Sequence, residues 1–487
     1  TLAAMDGGAF VTLPQVYTED VEKPGIMKSN LGMYRIQLSG NEYELNKEIG
    51  LHYQLHRGIG VHQTKANAKG QPLKVSCFVG GPPSHTLSAV MTLPEGISEM
   101  TFAGVLGGRR FRYAYDALGN AISTDADFVI TGEVDPLQNK PEGPFGDHLG
   151  YYSLEHSFPL MRVHKVYARK NAIWAFTVVG RPPQEDTSFG QLIHAMTGAA
   201  VSNEIPGLKE VHAVDAAGVH PLLLAIGSER YTPYLTNKQP AEILTIANHI
   251  LGTGQLSLAK FVWITAEAKK SKENSEININ ETSSKPLDVN NVPEFLAYML
   301  SRMDFSNDLH FYTNTTMDTL DYSGDGLNTG SKLVLAAYGD VRRKLATIIP
   351  ESIKALNANA SLIMPGVIAV NAANAVNAET TSLNSIQEKL RGLGESLLEK
   401  EGIAMIIITE DATWMAAEFN NFIWAAFTRT NPSKDMEGVD SYINNKHWGC
   451  KGPLIFDATI KKHHAPAVVK DNELEKKVTA ILSKYGY

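Results

Sequence analysis

A chain of 487 residues with 43% hydrophobic and 20% charged side chains has the composition of a globular protein of several domains, neither fibrous nor disordered. Lys and Arg number 44 against 52 Asp and Glu, a net charge of -8, which argues against nucleic acid or an anionic membrane as the main partner and suits a small-molecule substrate. Cys77 and Cys450 alone exclude a disulfide framework, so a cytoplasmic setting is expected, and no apolar run reaches the roughly 20 residues of a transmembrane segment.

In chain order, the start "TLAAMDGGAF" lacks the basic residues and long apolar stretch of a signal peptide and opens on Thr1, so a piece of a longer product is expected. From about residue 30 to 180, short runs such as "GMYRIQLSG", "LKVSCFVGG" and "AIWAFTVVG" alternate with Gly, Pro and Asn. This pattern predicts a mainly antiparallel sheet or small barrel, with a helix after Ser84. Beyond "GRPPQED", apolar runs such as "VHPLLLAIGS" alternate with helical segments such as "PAEILTIANHILG", which predicts an α/β layer. Residues 269 to about 294 are polar and read as a linker or exposed loop, and the stretch from there to about 400 reads as an insertion. The run "IAMIIITE" predicts another strand. Met415, Phe419, Phe422, Ile423 and Ala426 then form one helical stripe, read as core packing. The tail "DNELEKKVTAILSKYGY" pairs Asn472 with Glu475 in a capping-box spacing and sets Leu474, Val478, Ile481 and Tyr485 on one face.

Phosphate loops, dinucleotide fingerprints, nucleophile elbows and paired CxxC motifs are all missing from the sequence. "GGPPSH" and "GVLGGRR" read as turns, and His194, His212, His220 and His249 show no ligand spacing. Three clusters can carry chemistry. In "SNLGMYR", Asn30 offers a hard amide oxygen and Arg35 a donor fork suited to carboxylate or phosphate; the alternative is a turn Asn and a surface Arg. In "LPEGISE", Glu99 is either a helix-capping acid or a ligand for a divalent cation. In "PEGPFGDHLGYYS", Glu142 and Asp147 lie five positions apart beside Phe145. Desolvation and like charge are expected to leave one of them protonated near neutral pH, as a general acid requires. A purely structural loop is the alternative.

Together the clusters resemble the UbiD family of decarboxylases. "SNLGMYR", "HYQLHRG", "PEGISE", "EGPFGDHLGYYS", "GRPPQED", "IWAAFTRTNPSKD" and "KGPLIFDAT" run in family order. The resemblance implies prenylated FMN as cofactor and an arginine flanked by two carboxylates, Glu142, Arg35 and Asp147, with Asp147 as proton donor. It implies Asn30 and Glu99 as ligands of Mn2+ or Mg2+, with a monovalent cation such as K+ as a further candidate. Contacts to the flavin are implied for Met33, Tyr34, Arg35, His52, Tyr53, Gln54, Arg57 and Gly58, and less directly for Met91 and Lys451. The implied fold is α+β and α/β: a central split β-barrel of the flavin-reductase type over 30–190, and a C-terminal α/β domain over 191–268 and 401–465. Residues 1–29 would be a remnant or linker of a missing N-terminal domain, 269–400 an insertion, and 466–487 a helix docking on another subunit of a homo-oligomer.

The expected function is non-oxidative decarboxylation of an aromatic acid, most simply a 4-hydroxy-3-polyprenylbenzoate or related quinone precursor, with a flavin prenyltransferase supplying the cofactor. The alternatives are a decarboxylase of another aromatic or α,β-unsaturated acid, and a flavin-binding protein without turnover.

Overall fold

The structure is a computed structural model that describes residues 5–53, 58–91, 93, 97–231, 239–266, 286–324, 326–356, 359–372, 381–469 and 471–486. Two compact units divide it, one formed by residues 1–189 and 465–487 and the other by 190–464.

The first unit is built on strands β1 (Phe10–Val11), β2 (Gln15–Glu19), β3 (Ser29–Gly32), β4 (Ile36–Gln37) and β5 (Glu48–Leu51), then helix α1 (Gly58–Lys69), strand β6 (Leu73–Val79) and helices α2 (Pro83–Val90) and α3 (Glu99–Leu106). There follow β7 (Tyr113–Tyr115), β8 (Ala121–Ser123), β9 (Phe128–Glu142), β10 (Phe145–Gly146), β11 (Tyr152–Ser153), β12 (His156–Ala168) and α4 (Glu185–Glu204). Eight of these strands form one sheet in the order β1-β4-β5-β12-β9-β6-β2-β3, and every pairing in it is antiparallel.

Successive residues of a strand point to opposite faces, and here both faces are apolar. Val16, Cys77 and Ile130 enter one core with Ile59 and Ala66 of α1, whereas their neighbours Tyr17, Phe78 and Val129 enter another with Ala89 of α2 and Met100 of α3. A sheet buried on both sides gives up the polar alternation of a half-solvated one and reads as continuous apolar runs. "VSCFV" is such a run. Among the described residues the pairing runs from β1 to β3 without closing into a ring.

Gly132 marks where the two longest strands, β9 and β12, meet at a bulge between Val163 and Lys165. A Cβ at Gly132 would lie 2.1 Å from the Arg162 carbonyl oxygen, so only glycine allows the backbones to approach this closely.

The second unit holds two five-stranded sheets of the same design. One runs in the order 208–213, 222–227, 261–266, 329–337, 309–316, and the other in the order 361–364, 367–371, 405–409, 454–457, 436–438. In each, three parallel strands lie between antiparallel edges. The segment expected as an insertion supplies four of these strands. Its polar first part, residues 269–285, lies outside the described residues. The predicted stripe falls on two helices, Ala412–Ala417 and Phe419–Arg429, in which Met415, Phe422, Ile423 and Ala426 are buried.

The tail helix, Asn472–Lys484, is capped one residue earlier than its spacing suggests. Asp471 accepts hydrogen bonds from the Glu473 and Leu474 amides, because a short carboxylate reaches the free N–H groups of the first turn directly. Leu474, Val478, Ile481 and Tyr485 are exposed. No helix among the described residues is long and apolar enough to cross a membrane.

Candidate active site

Arg35 lies between β3 and β4, next to the start of β4. Its Nε donates to Glu142 Oε1 at 2.8 Å and its Nη2 to Glu142 Oε2 at 2.9 Å, a bidentate fork matched to the planar carboxylate. Nη1 donates to Asp147 Oδ2, and Nη2 also to Ser153 Oγ at 2.9 Å. The guanidinium carbon sits 4.9 Å from the centroid of the Phe145 ring, which shields one side of the cluster from water. Glu142 is fully buried, and Arg35 and Asp147 are nearly so.

The loop is shaped to present these groups. Glu142 ends β9 opposite His156 of β12, and β10 and β11 fold the chain back with Phe145 facing Ser153. Gly143, at φ 95°, takes a backbone conformation that side chains disfavour and donates to Gln37 Oε1 at 2.9 Å. The Asp147 amide donates to Tyr151 O, and the Asp147 carboxylate accepts from the His148 amide at 2.7 Å. A distant segment completes the support: Tyr152 N donates to Pro466 O at 2.8 Å and Val468 N to Gly150 O at 2.9 Å.

The electrostatics correct one expectation. Burial alone would raise both carboxyls, but the Arg35 guanidinium outweighs it. Asp147 is held down at about 2 and Glu142 also below its ordinary value, with the His148 amide and ring contributing at Asp147. Neither member of the pair therefore holds a proton at rest near neutral pH. His52, 3.8 Å from Glu142 and packed on Phe158, is pushed down to about 4 by burial and by Arg35, so it stays neutral.

A second centre forms on β3. Glu99, the first residue of α3, accepts from the Leu31 amide at 3.2 Å, next in sequence to Asn30. Burial raises its carboxyl. The Asn30 side-chain nitrogen is buried without a hydrogen-bond partner among the described residues, while its amide oxygen lies against Gly58 at the start of α1. A half-buried carboxyl beside an amide whose nitrogen is buried without a partner among the described residues is what a divalent ion and a phosphate would satisfy, since which end of the amide is oxygen is an assignment. These residues fit the metal and cofactor phosphate that the resemblance implies.

Met33 donates its amide to Ala89 O at 2.9 Å, and Met91 is buried just after α2. The rings of Tyr34 and Tyr53 are 6.0 Å apart, and a Cβ on Gly32 would collide with the Tyr34 ring. Gln54 and Arg57 lie outside the described residues. Lys451 belongs to the second unit and is exposed. Ser153, Gln37 and the 465–468 segment were not singled out from the sequence. Ser153 stood in the quoted loop, but a lone serine carries no signal until its partner is known.

The depressed Asp147 carboxyl makes stability depend on acid. A group whose folded value lies below its unfolded one stabilises the fold fully above the unfolded value, 3.8, and loses that contribution as pH falls toward about 2. Urea titrations at stepped pH are expected to show the wild type losing stability across this window and the Asp147→Asn variant showing a flatter dependence. Parallel curves for the two proteins would contradict the ionised Asp147.

Comparison with known proteins agrees with the motifs. Residues 1–182 match the UbiD 3-octaprenyl-4-hydroxybenzoate carboxy-lyase Rift-related domain and residues 187–337 the C-terminal domain of the same enzymes. An uncharacterized protein of Chlamydia muridarum is 35% identical over 99% of this chain and 75% of its own length. A Chlamydia pneumoniae protein, named as one subunit of a 4-hydroxybenzoate decarboxylase, is 35% identical over 97% of this chain and 74% of its own. Among solved structures, the vanillic acid decarboxylase of Sedimentibacter hydroxybenzoicus in closed form has a TM-score of 0.59 at 20% identity, covering 73% of this chain and 70% of that one. The UbiD-class enzyme HmfF of Pelotomaculum thermopropionicum, in complex with FMN, has a TM-score of 0.53 at 20% identity over 69% and 67%. The chain, with its matched domains and a relative that it covers over three quarters of its length, belongs to the UbiD family of carboxy-lyases.

Proposed function

We propose that this protein decarboxylates an aromatic acid of the hydroxybenzoate class, with a 4-hydroxy-3-polyprenylbenzoate or related quinone precursor as the leading substrate. The observation that carries the reading is the buried Arg35 held between Glu142 and Asp147 in a family motif. The name of the Chlamydia pneumoniae relative supports a hydroxybenzoate. Prenylated FMN, when bound, would supply the electron sink that loss of CO2 from an sp² carbon requires.

The chain's own residues have three tasks. Asn30 and Glu99 would hold Mn2+ or Mg2+, which lets an acidic protein bind the cofactor phosphate, with K+ as a further ion; Met33, Tyr34, His52, Tyr53, Gln54, Arg57, Gly58, Met91 and Lys451 are the proposed contacts to the flavin. Arg35 orients the substrate carboxylate through Nη1, the donor that faces Asp147, while Glu142 holds the other edge of its fork in place. Asp147 returns a proton to the carbon that loses CO2. That step needs Asp147 to be protonated first, and the incoming substrate carboxylate promotes this by competing for Arg35 and adding negative charge. The split-barrel description of the first unit is inferred from the family resemblance, with the sheet running from β1 to β3 among the described residues. A flavin prenyltransferase would supply the cofactor, and the exposed apolar face of the tail helix would dock on another copy of the chain.

Protein co-produced with a flavin prenyltransferase and loaded with Mn2+ is expected to release CO2 from a panel of hydroxybenzoates. Asp147→Asn should lower turnover by roughly 10²-fold to 10⁴-fold, and Arg35→Lys by about 10²-fold through lost orientation. Full turnover in Asp147→Asn would remove its role as proton donor.

For the metal, isothermal titration of wild-type protein with Mn2+ should give one site that Glu99→Gln weakens at least about tenfold. Equal affinity in the two would exclude Glu99 as a ligand. For assembly, Ile481→Lys, which places a charge in the apolar face of the tail helix, is expected to lower the mass measured by light scattering. An unchanged mass would place the interface between copies elsewhere.

A further inference from the structure

β6, β9 and β12 are antiparallel neighbours, so the end of β6, the start of β9 and the end of β12 meet at one end of the sheet, with Phe128 opposite both Val79 and Ala168. The loops at this end enclose a cavity of about 640 Å³, lined by Gly81 and Pro82 after β6, Asp125 and Asp127 before β9, and Ile173 after β12. Arg109, Arg112 and Arg169 complete its wall. The two glycine-rich stretches that read as plain turns, "GGPPSH" and "GVLGGRR", thus meet at one place. A Cβ at Gly80 would lie 2.4 Å from Asp127 Oδ2, so only glycine lets the first loop close on this acid.

Two acids lie beneath three arginines. The side chains of Asp125 and Asp127 are 6% and 14% exposed, against 45%, 63% and 56% for Arg109, Arg112 and Arg169. Arg112 donates to Asp125 Oδ1 through Nε at 3.1 Å and through Nη2, and Arg109 Nη1 pairs with Asp125 Oδ2 at 3.1 Å. Arg169 donates through Nη1 to the Asp125 carbonyl at 3.3 Å, and its Nε lies 3.7 Å from Asp127. The Asp127 carboxylate also accepts from the Gly81 amide at 2.8 Å and the Ile173 amide at 3.1 Å. The hydrogen bond from Arg112 holds Asp125 below its ordinary value, and Asp127 is held down by the two amides and Arg169 against its burial. Both acids are therefore ionised near neutral pH, and three guanidiniums against two carboxylates leave one positive charge at the cavity of a chain whose net charge is -8. Each guanidinium has five N–H donors, more than these contacts engage. The wall at Pro82 adds to this, because α2 begins there without a side-chain cap and its first-turn amides favour an anion.

We propose that this cavity binds a phosphate monoester on a polar framework, of the sugar-phosphate class. Guanidinium forks match phosphate oxygens, and the volume suits a small molecule larger than a lone phosphate. Ile173 is the one large aliphatic side chain in the lining and no aromatic ring belongs to it, so a nucleobase or an aromatic acid would find nothing to stack on. The site is separate from the Arg35 cluster. Asp127 precedes the first residue of β9 and Glu142 is its last, roughly 45 Å apart along the strand. The proposal therefore stands independently of the decarboxylation reading.

Isothermal titration of the full chain tests this with glucose 6-phosphate, inorganic phosphate and glucose as probes, in the presence of a chelator that keeps the Asn30–Glu99 centre free of metal. Glucose 6-phosphate should bind at one site, inorganic phosphate more weakly at the same site, and glucose not at all. Arg109→Gln and Arg169→Gln should each weaken glucose 6-phosphate at least about tenfold, whereas Arg35→Lys should bind it as the wild type does. Urea unfolding gives a second readout and shows that each variant folds: glucose 6-phosphate should raise the wild-type midpoint and shift those of Arg109→Gln and Arg169→Gln less. Failure of both phosphates to bind, glucose binding as tightly as its phosphate, or equal affinity in the two cavity variants and wild type would overturn the proposal. So would loss of binding in Arg35→Lys alone, which would send the anion to the Arg35 cluster.

Discussion

The arrangement around Arg35 depends on one constraint: a single guanidinium must neutralise two buried carboxylates. Burying the three groups is costly, and the geometry compensates through four hydrogen bonds from Arg35 to Glu142, Asp147 and Ser153. Removing one partner of such a buried pair typically costs about 3–5 kcal/mol, because the remaining charge is stranded. The cluster is therefore stable only as a whole, and it fixes three separate stretches of chain: the β3–β4 turn, the end of β9 and the β10–β11 hairpin. It also sets the protonation of the site. A strong cation beside Asp147 stores an ionised acid, so protonation is coupled to anything that draws the cation away.

The sheet provides the rigidity that this demands. Because both faces are packed, by α1 on one side and by α2 and α3 on the other, the strands have little freedom to shift, and Arg35 and Glu142 are delivered from separate parts of one ordered frame. The Asn30–Glu99 centre uses the same frame, since Glu99 is hydrogen-bonded to the backbone of β3, only a few residues before Arg35. The Asn30–Glu99 centre and the arginine cluster thus both draw on one short segment, residues 29 to 35.

Much of this was legible in the sequence because the informative residues lie in short, irregular motifs. Asn30, Arg35, Glu99, Glu142 and Asp147 could be singled out by residue type and company, and the antiparallel character of residues 30 to 180 followed from turn spacing. The protonation of Asp147 was not legible. Proximity of two acids and a phenyl ring points to a raised carboxyl, and the opposite result comes from Arg35, whose distance from Asp147 no spacing reveals. The role of Asp471 was hidden for a similar reason: Asn472 has the partner three residues on, but Asp471 has the reach.

The pairing of residues 465–468 with Gly150–Tyr152 has a consequence for how the enzyme is made. The loop that carries Asp147 is translated early, whereas the backbone that fastens it is encoded far downstream, after the whole of the second unit. Contacts between such remote stretches form late, because closing a long loop costs entropy before any contact rewards it. On the ribosome the sheet can assemble while the Asp147 loop waits for its clasp. The Arg35–Glu142–Asp147 arrangement is consequently among the last features of the molecule to mature, after the intervening unit has been synthesised.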